Sequence, residues 1–388
     1  MPHRAFVGRD RAPDDDRPTR RGAAASPLRR LRGLGVLLAL AAVDQALTAA
    51  WPGRDLPFQA SPLRVPSALY DHDLRPGGTT GERWGDASAA LRTNSLGFKD
   101  RSTRRVDPAA RGRRVLFMGD SFTEGIGVDY ERTFVGLVDA RLRRDGVEVL
   151  NGAVVSYSPV IYWRKVRYLI EVVGLRFDEL VVFIDVSDVQ DEAWFYERRG
   201  DAVGRRPDAE ARVFGVTPWM RAAWWAVRHS FAMQRVYAAL PHPHPDPMAQ
   251  VRDPASRARL RGAWTVDPAA YAAYGATGLA LAERSMSDLA ALLAARGIRL
   301  TVAVYPWPIQ IFARDRDSLQ VSFWRRWADG HGADFLDLFP RFIDGRPAAE
   351  VYSALFFPGD CHWNAAGHRV VADAFLDHYG RRARPSAP

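Results

Sequence analysis

Val115-Leu-Phe-Met-Gly119-Asp120-Ser121-Phe-Thr-Glu-Gly125 is the stretch on which the reading of this chain turns. Four apolar residues without alternation read as a strand buried on both faces. The run stops at a glycine, and residues 131–144 then place Phe134, Leu137, Val138 and Leu142 on one helical face. A serine between such a strand and a helix lies at the carboxyl end of a sheet, where open α/β sheets bind ligands. Free N–H groups and the positive end of a helix dipole favour a developing oxyanion there. Glycines at 119 and 125 allow tight turns beside a bound group.

The same alternation continues downstream. Strands are expected at 147–150, 180–184, 300–305 and 335–338, and helices at 160–174, 268–296, 318–330 and 365–379. Gly297 suits the end of the long helix. Strand–helix alternation of this kind implies an α/β three-layer sandwich around a mainly parallel five-stranded sheet.

Residues 195–266 break the rhythm and read as an inserted helical and loop segment. Trp194, Trp219, Trp224, Trp225 and Trp264 lie in or beside it and read as its internal packing. His242 and His244 alternate with proline in Pro241–Pro247, which reads as an exposed loop and not as a metal site.

A serine hydroxyl needs a base. Phe356-Phe-Pro-Gly359-Asp360-Cys361-His362-Trp363-Asn364-Ala-Ala-Gly367-His368 precedes the last helix, and Asp360 is close enough in sequence to orient His362. His368 is the rival base, but it falls inside the helix, where a structural role is expected. Asp120 reads as a loop-holding residue.

Gly119-Asp120-Ser121 after a strand, with Asp360 and His362 before the final helix, resembles the SGNH (GDSL-type) hydrolase superfamily. The resemblance covers roughly residues 65–380 and implies a flavodoxin-like α/β fold with Ser121 as nucleophile, His362 as base and Asp360 as its orienting carboxylate. It further implies an oxyanion hole from the Ser121 N–H and the N–H of Ala153, next to Gly152. Where the family carries Gly-x-Asn-Asp, this chain has Asp185-Val186-Ser187-Asp188, so Ser187 stands in the place of the second donor. The short Asp-x-His-Trp form, continued by Asn364 and Gly367, looks like the branch of alginate O-acetyltransferases. Tyr70–Pro76 and Arg92–Phe98 look like the leader of its membrane-anchored members. No metal or organic cofactor is implied.

Composition bounds the rest. The chain has 388 residues, 47% hydrophobic and 26% charged, which is ordinary globular make-up. Its net charge of +9 is concentrated in residues 1–32, where nine Arg oppose four Asp, leaving +4 for the body. A nucleic-acid partner is therefore not expected. The single cysteine, Cys361, excludes an internal disulfide and paired-cysteine metal motifs.

The expected organisation is a disordered basic tail (1–32), a signal peptide or signal anchor (33–51), a leader packing on the main domain (52–112), a catalytic domain (113–380) and a short tail (381–388). Arg29, Arg30 and Arg32 flank an eleven-residue apolar run, and Thr48-Ala49-Ala50 offers a cleavage pattern. Asp44 interrupts that run at about 3 kcal/mol on insertion scales, which makes a permanent span marginal. Either version places the body outside the cytoplasm, held to the inner membrane or released. Three functions follow: an esterase acting on acyl groups of a cell-envelope carbohydrate or small ester, an O-acetyltransferase of an envelope or exopolysaccharide, or a non-catalytic carbohydrate-binding protein with a degraded oxyanion hole.

Overall fold

The computed structural model describes residues 27–50, 61–240 and 260–383. Most of the N-terminal tail, the 51–60 connection, and His242 and His244 with their proline run lie outside the described residues.

The described residues start with α1 (Pro27–Ala50) and, from residue 61, form two short antiparallel hairpins. The first is β1 (Arg64–Ser67) with β2 (Asp71–Leu74), and the second is β3 (Thr79–Trp84) with β4 (Ala87–Arg92). The alternating part follows: β5 (Arg114–Met118), α2 (Ser121–Glu124), α3 (Phe134–Leu142), β6 (Glu148–Asn151), α4 (Pro159–Glu171) and β7 (Glu179–Ile184). A short turn of helix, α5 (Asp188–Gln190), leads into the insert.

The insert holds the hairpin β8 (Tyr196–Arg199) and β9 (Ala202–Arg205), then α6 (Ala209–Phe214), α7 (Pro218–His229) and α8 (Phe231–Ala239). The chain returns through Pro268–Ala270 and one π turn, Tyr271–Gly275, into α9 (Ala276–Ala294) and β10 (Arg299–Val304). Then come α10 (Pro308–Ala313), α11 (Leu319–His331), β11 (Asp334–Asp337), α12 (Phe339–Phe342), α13 (Ala348–Leu355) and α14 (Ala365–Ala383).

Five strands make one wholly parallel sheet in the order β11-β10-β7-β5-β6. Its strands alternate between two cores. Leu116, Met118, Leu180 and Val182 face one side with α4, α9 and α11. Val115, Phe117, Val181 and Phe183 face the other, with α3 and α14. Both faces are therefore covered, which is why these strands read as continuous apolar runs.

The leader is built into this body. Arg64 of β1 reaches Glu124 of α2 with Nη2–Oε1 at 2.6 Å, and the buried Lys99 ammonium donates to the Gly125 and Val128 carbonyls at 2.7 and 2.8 Å. A bridge joins Tyr70 to Val203, so leader and insert also meet.

The tryptophans divide. Trp264 is buried and donates to the Val186 carbonyl at 2.7 Å, whereas Trp219 and Trp225 of α7 are 71% and 64% exposed. Internal packing thus accounts for Trp264, and for Trp224 with its ring 5.2 Å from that of Tyr237, but not for Trp219 and Trp225. Among the described residues, no helix is long and apolar enough to cross a membrane.

Candidate functional site

The turn after β5 is built by its own residues. Gly119 is required by space, since a Cβ there would meet the Thr123 hydroxyl at 2.2 Å. The Asp120 carboxylate caps α2, with Oδ1 accepting the Phe122 N–H at 3.0 Å. Gly125 closes the turn at φ 75°. Ser121 is left at the first helical position, beside a cavity of about 400 Å³ that Trp84, Ser156, Ser187, Trp307 and Asp360 also line.

His362 meets it from the other end of the chain. The Ser121 hydroxyl lies 2.8 Å from His362 Nε2, and His362 Nδ1 lies 2.5 Å from Asp360 Oδ1. With Nδ1–H on the carboxylate, Nε2 is free to accept the serine proton. Asp360 Oδ2 accepts from the Trp84 indole at 2.7 Å. Burial would raise the Asp360 carboxyl, but the imidazole of His362 and the hydrogen bonds from His362 and Trp84 hold it well below the usual carboxylate range. The Trp84 and Phe122 rings pack on the imidazole at 5.1 and 4.7 Å between centroids.

Asn364 then caps α14, with Oδ1 accepting from Ala366 and Gly367 at 2.8 and 3.1 Å. Trp363 is buried against Phe122 and Phe342. The loop holding His362 is thus pinned on both sides.

His368 is buried, and Nδ1 accepts the Phe134 N–H at 3.2 Å. Burial, with the nearby Lys99 and His362 charges, lowers its pKa to about 3. It is a neutral structural acceptor and touches nothing in the serine's cavity.

Ser187 lines the cavity, and its N–H is held by Asp185 Oδ1 at 2.7 Å. Asp185 Oδ2 in turn accepts from the Trp307 indole at 2.6 Å. Ala153 differs from expectation. Its N–H donates to Asn151 Oδ1 at 3.2 Å, and it does not line the cavity. Ser156 does, and it adopts φ 63°, a left-handed conformation rare for a non-glycine residue. The loop is held there because Glu124 Oε2, itself paired with Arg64, accepts the Val155 N–H at 2.7 Å. Sequence reasoning missed Ser156 and Trp84. A glycine at 156 would have signalled a positive φ, and nothing in the sequence marks Trp84 as a partner for a residue 276 positions away.

Among the described residues, two groups have metal-ligand spacing. In Asp360–Cys361–His362 both imidazole nitrogens are already engaged. The buried Asp120, Asp185 and Asp188 bring carboxylate oxygens within 4.8 Å of one another. Burial, then the charge of Asp185, pushes both Asp120 and Asp188 well above the usual carboxylate range. Asp120 accepts from Tyr305 and Asp188 from Tyr162, which suits the loop-holding reading of Asp120.

No family model matches the chain, and no curated protein matches it. Some solved structures are similar to part of it at low identity. An alpha/beta hydrolase enzyme from the metagenome of Lake Arreo, Spain, is 17% identical, covering 70% of this chain and 96% of its own at a TM-score of 0.36. A catalytic mutant of an acetylxylan esterase from Geobacillus stearothermophilus is 13% identical, over 71% and 97%, at 0.38. A member of the lipolytic protein G-D-S-L family from Veillonella parvula is 12% identical, over 69% and 99%, at 0.36. The parallel sheet, the serine at the strand-to-helix turn after β5 and the Asp-x-His block before the last helix are the features in which the chain resembles the SGNH (GDSL-type) hydrolase superfamily.

Proposed function

We propose that this protein is a serine esterase that removes acyl groups from a carbohydrate or small ester of the cell envelope. One observation carries the reading: the hydrogen-bonded series Ser121–His362–Asp360, at 2.8 and 2.5 Å, opens into a cavity beside two indole rings. Ser121 Oγ attacks the ester carbonyl carbon while His362 Nε2 takes its proton. The tetrahedral oxyanion collapses, and the imidazolium returns that proton to the leaving alcohol. Water then enters by the same route, and the acid leaves with the serine restored. The Ser121 N–H and the Ser187 hydroxyl are the donors expected to meet the oxyanion, with the Ser156 N–H in place of the Ala153 N–H. Trp84 and Trp307 give the cavity ring faces on which a sugar can stack.

The same ring faces support a second reading, in which a sugar hydroxyl replaces water and the enzyme is an O-acetyltransferase. Partition decides between them: added glycan acceptor diverts the acyl group from water in the transferase and leaves hydrolysis unchanged in the esterase. The place of action is the extracytoplasmic side, reached through the Arg-flanked apolar segment near the N-terminus.

Intact-mass spectrometry after fluorophosphonate treatment tests the core of the reading. A single adduct is expected on the wild type and none on Ser121→Ala, with labelling at least about a thousandfold slower in His362→Ala. A folded wild type that takes no adduct overturns it in favour of a non-catalytic binding protein.

A further inference from the structure

The large apolar side chains that the described residues leave in water are concentrated on α1 and on the hairpin α7–α8. On α1, Val36, Leu37 and Leu38 are successive and all exposed by more than half. Helical neighbours project about 100° apart, so these three cover more than one side of the helix. A protein partner buries one stripe. A helix apolar all round is satisfied by a medium that surrounds it, and that favours lipid over a second copy of this chain.

The hairpin adds the chemistry of a headgroup layer. Trp219 and Trp225 are exposed on α7, Val236 is exposed on α8, and Arg221 and Arg228 lie on α7 beside the tryptophans. Indole rings and arginines are the side chains that settle where acyl chains give way to anionic headgroups.

The two parts are clamped together by the polar residues that interrupt α1. Asp44 Oδ1 accepts the Ala232 N–H at 2.9 Å and the Ser230 hydroxyl at 3.2 Å. Thr48 Oγ1 accepts the Phe231 N–H at 2.7 Å, and Gln45 donates to the His229 carbonyl at 2.8 Å. Asp44 therefore caps the start of α8, and its carboxylate is met by one backbone N–H, one hydroxyl and the helix dipole. The carboxylate that looks like a defect in an apolar helix is the joint between that helix and the insert.

We infer that α7–α8 is a membrane-docking hairpin: the apolar stretch of α1 between Arg32 and Asp44 sits in lipid, and the hairpin, fixed to it through Asp44 and Thr48, rests at the headgroup level. Helix α7 also lines a cavity of about 1000 Å³ that shares Val155, Ser156 and Phe214 with the serine's own, so docking brings the approach to Ser121 next to the lipid surface. The proposal does not depend on Ser121 being reactive.

The test uses the full chain carrying Cys361→Ala, with a single cysteine introduced as Trp219→Cys or Val236→Cys and labelled with an environment-sensitive nitrobenzoxadiazole dye. Val172→Cys, exposed on the end of α4 and outside this face, is the reference. On vesicles of phosphatidylcholine with phosphatidylglycerol, a several-fold rise in emission and quenching by doxyl-labelled lipid are expected at 219 and 236 but not at 172. Asp44→Ala should abolish the response at 219 and 236 while the protein still floats with the vesicles. Dyes at 219 and 236 that stay in water on bound protein would mean that α1 anchors alone and overturn the proposal. So would a chain that binds no vesicles, or a lipid-independent response that rises with protein concentration as light scattering reports a dimer.

Discussion

At the residue scale, Trp84 couples the leader to the histidine. Its indole N–H holds Asp360 Oδ2, and its ring stands edge-on to the imidazole. A hydrogen bond to a charged group contributes about 1.5–3 kcal/mol. Trp84→Phe keeps the ring and loses the donor, so a fall in kcat of about tenfold or more is expected with little change in KM. His368 carries a separate expectation. Its folded pKa of about 3 lies below the unfolded value near 6.5, so the unfolded chain binds the extra proton between those limits. The stability linked to His368 is complete above about pH 6.5 and is lost as pH falls toward 3. Urea midpoints from pH 7 to 4 should therefore drop more in the wild type than in His368→Gln, the difference being what isolates this residue from Asp191 and Glu192, whose raised pKa values act with the opposite sign.

At the element scale, the loop after β6 is shaped from outside itself. Glu124 is buried, and although burial would raise it, Arg64 pulls it down, so it stays ionised while it holds the Val155 N–H. Removing Glu124 leaves Arg64 with Glu82 alone, at 3.0 Å, and strips the buried Val155 N–H of its acceptor, at a cost of about 1–3 kcal/mol. Glu124→Ala is expected to lower the thermal midpoint and to slow phosphonate labelling, because the strained Ser156 loses its support. Ser156→Gly should label as the wild type does, since glycine reaches φ 63° without strain, whereas Ser156→Val should lose about 1–2 kcal/mol by chemical denaturation.

At the scale of the whole molecule, the leader supplies the buried Lys99 ammonium, the Arg64 partner of Glu124 and the Trp84 donor to Asp360. A chain started at residue 113 would keep all five parallel strands but leave Glu124 buried without its cation. It is expected to be insoluble or to take no phosphonate adduct, as expression trials and intact mass would show. The insert is joined to α1 by helix caps and to the leader through Tyr70 and Val203. Leader, insert and sheet therefore form one body around the serine.

What the sequence determined by itself was the sheet and the two local groupings, Gly119–Ser121 and Asp360–His362. Val115–Met118 and Leu180–Ile184 are short apolar runs without alternation, set among helical patterns as the strands of a covered parallel sheet are, and the structure has them as β5 and β7. The turn at Gly119–Ser121 and the Asp360–His362 pairing are local, fixed by one to three residues of separation, so they were legible. The hairpins β1–β4 were not, because strands of four to six residues carry little periodic signal and form only where a partner surface exists. Trp84, Ser156 and the pairing of Asp44 with α8 likewise rest on contacts between segments far apart in the chain. Only the packed molecule decides which N–H groups face the serine's cavity, since a backbone donor has no side chain to announce it.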